Sequence, residues 1–270
     1  MLRRIYYFLS PNGRKFVRRI YYFPRDVFEL LFLKRNKLVP SKGKSFVGRG
    51  DFEQIGDTFL NHITETCQIN NNSKILDIGS GIGRIARPFT NFLSLDGEYI
   101  GFDIIPDGVN WCKKAYSDFP NFKFDYFPLY NDLYNLDAVK KSAEFKFPYQ
   151  QSYFDLAISI SVFTHLQKDE LVNYFAQINS VLKPGGKFYA TFFFVDKQTN
   201  NHLFPFDFGD YALHNTKVTN AIVAYKKEFI EKIAAESGLE IRSFYYGWWR
   251  NGLANESVDF QDIVIFEKSI

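Results

Sequence analysis

The 270-residue chain reads as an α/β protein, a mostly parallel sheet with helices on both faces behind a basic helical extension. Three observations carry that reading. From Ser73 onward, apolar runs of strand length alternate with longer stretches of helical periodicity. A glycine-rich turn follows the first of those runs. The charge also divides, with residues 1–50 at +11 and residues 51–270 at −8. The chain therefore splits into a basic aromatic amphipathic arm over 1–50 and an α/β domain over 51–270.

Within the arm, Arg3-Arg4-Ile5-Tyr6-Tyr7-Phe8 returns as Arg18-Arg19-Ile20-Tyr21-Tyr22-Phe23, an offset of 15 residues or about four helical turns. Ser10-Pro11-Asn12-Gly13 between the copies predicts a turn and hence two short pieces. A third helical piece is expected from Asp26 to Lys34, after Pro24. Lys34 to Gly50 is basic and contains glycine, and reads as a linker. Asp51 to Cys67 sets Phe52, Ile55, Phe59, Leu60 and Ile63 at helical spacing, which predicts a helix packed on the following domain.

Strands are expected at Lys74–Ile78, Glu98–Phe102, Phe122–Tyr126, Leu156–Ile160, Lys187–Phe194, Glu240–Tyr246 and Asp262–Phe266. Helices are expected near Ile85–Phe92, Asp107–Asp118, Lys168–Leu182 and Lys226–Ser237. Lys183-Pro184-Gly185-Gly186 reads as a helix stop and a turn into the next strand. Residues 128–149 and 196–225 interrupt the alternation and read as inserts that shape ligand specificity, because loops over a rigid sheet carry it.

Several classes are excluded. No apolar run reaches the roughly 18 to 20 residues of a membrane-spanning helix. Two cysteines, Cys67 and Cys112, exclude a disulfide scaffold and a multi-cysteine zinc site, and they fit a reducing cytoplasm. No His/Cys/acid grouping suggests a metal. Arginines recur throughout the arm, unlike the layout of a secretory signal.

The strongest chemical signal is Ile75-Leu76-Asp77-Ile78-Gly79-Ser80-Gly81-Ile82-Gly83-Arg84. A buried strand enters a glycine-rich turn and then a helix, the place where open parallel sheets bind ligands. The spacing departs from the dinucleotide pattern G-x-G-x-x-G, and the strand carries Asp77 just before the turn. About 20 residues on, Tyr99-Ile100-Gly101-Phe102-Asp103 puts an acid at the next strand end, placed to accept hydrogen bonds from ribose hydroxyls. Loop and acid together point to an adenosine-type ligand.

The series Asp77–Arg84, Asp103, Phe154–Leu166 and Val181–Phe194 resembles the S-adenosylmethionine-dependent class I methyltransferases. The likeness extends over roughly residues 52–270 and implies a seven-stranded Rossmann-like sheet with S-adenosyl-L-methionine as cofactor. It implies that Gly79, Ser80, Gly81 and Gly83 line the methionine and ribose side. Asp77 would sit under the loop near the cofactor's amino group. Asp103 would hold the ribose, with Ile104 on the adenine face. Ser161 and Val162 would border the sulfonium, and Arg84 would meet the methionyl carboxylate. The family's adenine-binding acid falls at Ala143 here, so Glu144 beside it is the expected substitute.

His165, past the fourth strand, is the candidate catalytic base, since imidazole titrates near neutrality. His202 and His214 are weaker candidates, and His62 reads as structural. Phe244–Arg250 is aromatic and suits either an acceptor wall or core packing. The arm over residues 1–40 suits an anionic membrane surface, with nucleic acid disfavoured by the acidic domain. The resulting expectation is O-methylation of a sugar, glycan or lipid-linked hydroxyl by a cytoplasmic, peripheral enzyme. A nucleic-acid methyltransferase and a non-enzymatic adenosyl-binding scaffold are the alternatives.

Overall fold

The computed structural model describes residues 11–33, 36–45, 48, 50–196, 202–250 and 257–270. The domain opens with α2 (Phe52–Cys67), following α1 (Pro11–Phe32) of the arm. Next come β1 (Lys74–Ile78), α3 (Ala86–Phe92), β2 (Glu98–Asp103), α4 (Pro106–Ala115) and β3 (Phe122–Tyr126). The second half holds β4 (Phe154–Ser159), α5 (Lys168–Val181), β5 (Leu182–Phe192), a small sheet of β6 (Phe206–Asp207), β7 (Tyr211–Leu213) and β8 (Val223–Tyr225), α6 (Lys227–Glu236), β9 (Leu239–Tyr245) and β10 (Asp262–Lys268).

Seven strands form one sheet in the order β3-β2-β1-β4-β5-β10-β9. All neighbours run parallel except β10, which is antiparallel to both β5 and β9. Parallel strands with helices on both faces must be apolar on both sides, and β2 is buried along its whole length. Successive residues therefore feed opposite cores. Leu76 and Ile78 join Phe175, Phe188 and Phe266 under α5 and α6. Ile75 joins Phe59, Ile63, Phe89 and Tyr189 under α2 and α3. Chain order reverses between β1 and β4, and the crevice beyond their carboxyl ends is where such sheets bind ligands.

The arm differs from its expected form. Its described part is one continuous helix, α1, which takes in Pro11-Asn12-Gly13 of the expected turn and runs through Pro24 into the third expected piece. Pro11 opens that helix, where its missing N–H costs nothing because first-turn donors have no helical partner anyway. Pro24 stands inside it. The first copy of the repeat, residues 3–8, lies outside the described residues. The linker is also more structured than a spacer, since Leu38 is buried in the core beneath α2. Asp26 on α1 accepts the backbone N–H groups of Lys42 at 2.8 Å and Gly43 at 2.9 Å, folding the turn back on the helix.

The two inserts meet. Residues 128–149 hold short bridges and one turn of 3-10 helix at Ser142–Glu144, and 196–225 holds the small sheet. Asp132 joins them, accepting from the N–H of Thr219 at 2.6 Å and of Asn220 at 3.0 Å. Within the aromatic segment Phe244–Arg250, Trp249 is packing: it meets Phe193 and Phe204, and its Nε1 donates to Asp262 at 2.9 Å.

Candidate active site

Beyond the carboxyl ends of β1, β2 and β4 lies a cavity of about 360 Å³. Its first wall is the turn after β1. The N–H groups of Gly79 and Ser80 both donate to the Phe102 carbonyl, at 2.8 and 2.9 Å, tying the turn to β2. Gly79 has φ +75°, and a Cβ there would overlap the side chain of Val162. Only glycine lets this turn approach the segment after β4 so closely.

Asp103 forms the second wall. Its Oδ2 accepts the Gly81 N–H at 2.7 Å and its Oδ1 accepts the Ile105 N–H at 2.8 Å. Burial pushes this carboxyl up to about 6, against the backbone N–H groups of Gly81, Ile105 and Ile104, which lower it. A carboxylate offers about four lone-pair directions, so two backbone bonds leave capacity for a diol. Ile104 and Ser142 flank it on the cavity wall.

The third wall follows β4. Ser161 has φ +59°, an unusual conformation for a residue with a side chain, and its N–H donates to Thr191 Oγ1 at 2.7 Å. Its Oγ donates to Gln261 Oε1 at 3.3 Å, and Thr191 donates to the same oxygen at 2.6 Å. Strain of this kind persists where surrounding bonds hold it, and it clusters at binding sites. Arg84 closes the far end, its Nη1 3.5 Å from the Gly48 carbonyl. Burial lowers its pKa and Asp259 raises it.

Of the residues assigned by resemblance, Gly79, Gly81, Arg84, Asp103, Ile104, Ser161 and Val162 line this one cavity, together with the candidate base His165. Four others stand back from it. Asp77 is buried beneath the turn and accepts the Tyr99 hydroxyl; burial pushes its pKa up to about 7, the Tyr99 bond lowers it and Asp103 raises it. Ser80 turns its side chain toward Gly101, where a Cβ would come within 2.7 Å of Ser80 Cβ. Gly83, at φ +78°, makes room for Tyr116, whose hydroxyl donates to the Gly83 carbonyl at 2.8 Å. Glu144 is exposed, and Ser142 occupies the cavity wall in its place. Ser142, Tyr174 and Gln261 are wall residues that the motifs did not reveal.

His165 sits where this cavity meets a second one under α1, and it lines both. Its Nδ1 is 2.8 Å from the Asn220 carbonyl, and the Tyr134 ring stands edge-on with centroids 5.4 Å apart. The side chains of Asn131 and Asn220 donate to the His165 carbonyl at 3.1 and 2.8 Å. Burial lowers the His165 pKa; the carbonyls of Asn220 and Ala221 and the charge of Asp132 raise it. His202 is exposed, His214 bonds the Leu203 carbonyl at 2.7 Å, and His62 is buried 2.8 Å from the Tyr189 hydroxyl; none of the three lines either cavity. Among the described residues no group of His, Cys, Asp and Glu could hold a metal. Both cysteines are buried free thiols.

The wall fits an S-adenosyl ligand on its own terms. The volume lies in the range of small-molecule sites, a buried acceptor faces the ribose position, and the turn glycine keeps the wall open to backbone approach. The cofactor would be held by Asp103 at the ribose hydroxyls, the Gly79–Gly81 turn and Arg84 at its amino-acid end.

The family profile described as the methyltransferase domain matches residues 76–190. A SAM-dependent methyltransferase from Methanosarcina mazei superposes with a TM-score of 0.53 at 16% identity, over 75% of this chain and 95% of that one. The 1,6-didemethyltoxoflavin-N1-methyltransferase of Burkholderia thailandensis, solved with S-adenosylhomocysteine, gives 0.53 at 12% identity, over 97% of this chain and 92% of that one. At those identities the likeness establishes the fold. Residues 76–190 thus carry the methyltransferase-domain signature on a fold shared with S-adenosylmethionine-dependent methyltransferases, which supports a class I S-adenosylmethionine-dependent methyltransferase.

Proposed function

We propose that this methyltransferase acts on a hydroxyl of a sugar, glycan or lipid-linked acceptor, working at the cytoplasmic face of an anionic membrane. The position of His165 between the two cavities carries the reading. A carbonyl can only accept, so the Asn220 contact keeps the proton on Nδ1 and leaves the lone pair of the neutral ring on Nε2. Burial favours that neutral form at pH 7. The cofactor supplies a methyl group already activated on sulfonium. What the chain adds is alignment, exclusion of water and removal of the acceptor's proton. Nε2 takes the hydroxyl proton as the new oxygen–carbon bond forms, and the proton then leaves to solvent. Such a base is worth ~10²–10⁴-fold.

The membrane part rests on α1. Phe16, Ile20, Phe23, Phe28, Leu31 and Phe32 are all exposed on a helix rich in arginine. No described helix is long and apolar enough to cross a bilayer, so contact would be along the surface. Each cation near an anionic surface adds about 1 kcal/mol. The net −8 of residues 51–270 disfavours nucleic acid as the acceptor.

The test is transfer of labelled methyl from S-adenosylmethionine to hydroxyl-bearing glycolipids, presented in anionic vesicles and in solution. Alkali-stable methyl ethers are expected, formed faster on vesicles. His165→Gln is expected to lower kcat by ~10²-fold or more with cofactor affinity held. Phe28→Ser with Leu31→Ser is expected to remove the vesicle advantage alone. Label on amines, or full turnover by His165→Gln, would refute the assignment.

A further inference from the structure

The second cavity, about 510 Å³, lies between α1 and the domain. Its wall carries Arg14, Lys15, Arg18, Arg19, Lys44 and Lys114, against Asp107 as the one acid among the described lining residues. That single carboxylate is shared, lying 3.2 Å from Lys15 Nζ and 3.8 Å from Arg19. Arg18 donates to the Ser45 carbonyl, a neutral partner that leaves its charge uncancelled. Lys44 stands 5.6 Å over the Trp111 ring, again without an anion among the described residues. Lys114 has no ion pair or hydrogen bond among the described residues. The buried indole N–H of Trp111 has no acceptor there either.

A surplus of positive charge around a concave wall is self-repulsive, and the repulsion is relieved when an anion enters. Guanidinium groups match phosphate oxygens in pairs, and ammonium groups add point charge. The location adds a second constraint. Ile105, Tyr134 and His165 line this cavity and the cofactor cavity alike, so the two adjoin at the base. An acceptor with its hydroxyl at His165 Nε2 extends from there onto the cationic wall.

We propose that this cavity binds a phosphate or diphosphate ester on the acceptor, which narrows the substrate class to phosphorylated sugars and to glycans or lipids linked through phosphate. The inference rests on the hydroxyl-acceptor reading above for its chemistry, but its own evidence is the charge of the wall. Ester phosphate on a soluble sugar and on a prenyl carrier presents the same oxygens, and the experiment separates the two sources.

The full-length protein is titrated calorimetrically with inorganic pyrophosphate, and floated on phosphatidylcholine vesicles with and without a prenyl diphosphate. The double variant Lys44→Gln, Lys114→Gln is run alongside, and S-adenosylhomocysteine is titrated into both proteins. Pyrophosphate binding that falls at least about tenfold in the variant supports the site with a free phosphorylated acceptor. Variant-sensitive flotation on prenyl diphosphate, without pyrophosphate binding, supports it with a lipid-borne one. The ligand-free variant is expected to melt no lower than the parent, because the change removes repulsion. Absence of both responses, or responses equal in parent and variant, overturns the proposal. Unchanged S-adenosylhomocysteine binding in that case leaves the methyltransferase reading standing.

Discussion

The two cavities that meet at His165 are built in opposite ways. The cofactor side hangs on the central strands: Gly79 and Gly81 follow β1, Asp103 ends β2, and Ser161 and Val162 follow β4. Its decisive contacts are short backbone hydrogen bonds in a buried setting. The cationic side is assembled from a surface helix, the outer face of α4 and residues Leu133, Tyr134, Ala221 and Ile222 of the two inserts. Ion pairs to a half-exposed Asp107 and the bond from Arg14 to the Leu133 carbonyl at 3.0 Å hold α1 over it. Rigid strands preorganise the first cavity. The cationic one rests on charged surface contacts that salt weakens, and it therefore has freedom to rearrange.

The difference can be broken at the turn. Gly79→Ala and Gly83→Ala both force a side chain into positive φ, which costs about 1–2 kcal/mol before any clash. Only Gly79 lines the cavity; a Cβ at Gly83 instead meets Tyr116 at 2.8 Å. Both variants are expected to lower the melting temperature by several degrees. Gly79→Ala is expected to lose cofactor affinity by about tenfold or more, and Gly83→Ala to keep it within about threefold. Equal losses in the two variants would mean that the turn acts as one unit and that the wall residue has no separate role.

A smaller effect separates the cavity wall from the layer beneath it. Burial raises the Asp77 pKa to about 7 from an ordinary 3.8, so the native state holds this proton more tightly than the unfolded chain. Its contribution to stability is therefore complete below pH 3.8 and is lost as pH rises toward 7. Asp77→Asn, which cannot ionise, is expected to show a flatter fall in melting temperature between pH 4.5 and 7.5 than the parent. Parallel curves would show that Asp77 ionises in the folded state at no cost.

Much of the fold and of the cofactor cavity is legible in the sequence, for identifiable reasons. The inner strands of the main sheet, such as β1, β2 and β4, are apolar runs bounded by turn residues, and burial on both faces leaves few other readings. The edges move where backbone chemistry overrides the pattern: β5 starts at Leu182, its pairing with β4 passing through an irregularity at Pro184-Gly185-Gly186. Asp103 and the turn glycines stand out because conformation and charge tie those residue types to those positions. Asp77 shows where the motif stops being informative. It belongs to the same motif, yet its partner Tyr99 lies on the neighbouring strand, and only the β1–β2 register reveals that pairing. Gln261 and Ser142 are invisible for the same reason, since long-range packing brings them to the cavity. The N-terminal helix departs from the expected pieces because Pro11 is a turn signal and a helix opener alike, and local sequence does not decide between the two.

Calorimetric titration of S-adenosylhomocysteine into the full chain and into Asp103→Ala tests the strand-end cavity most directly. Hydrogen bonds to a charged group contribute about 1.5–3 kcal/mol each, so losing the ribose contacts is expected to weaken binding by ~10²-fold. The variant should remain folded, with unchanged far-UV circular dichroism, and pyrophosphate affinity at the cationic wall should be unaffected. Cofactor binding of equal strength in a folded Asp103→Ala protein would contradict the assignment of this cavity to the adenosyl group.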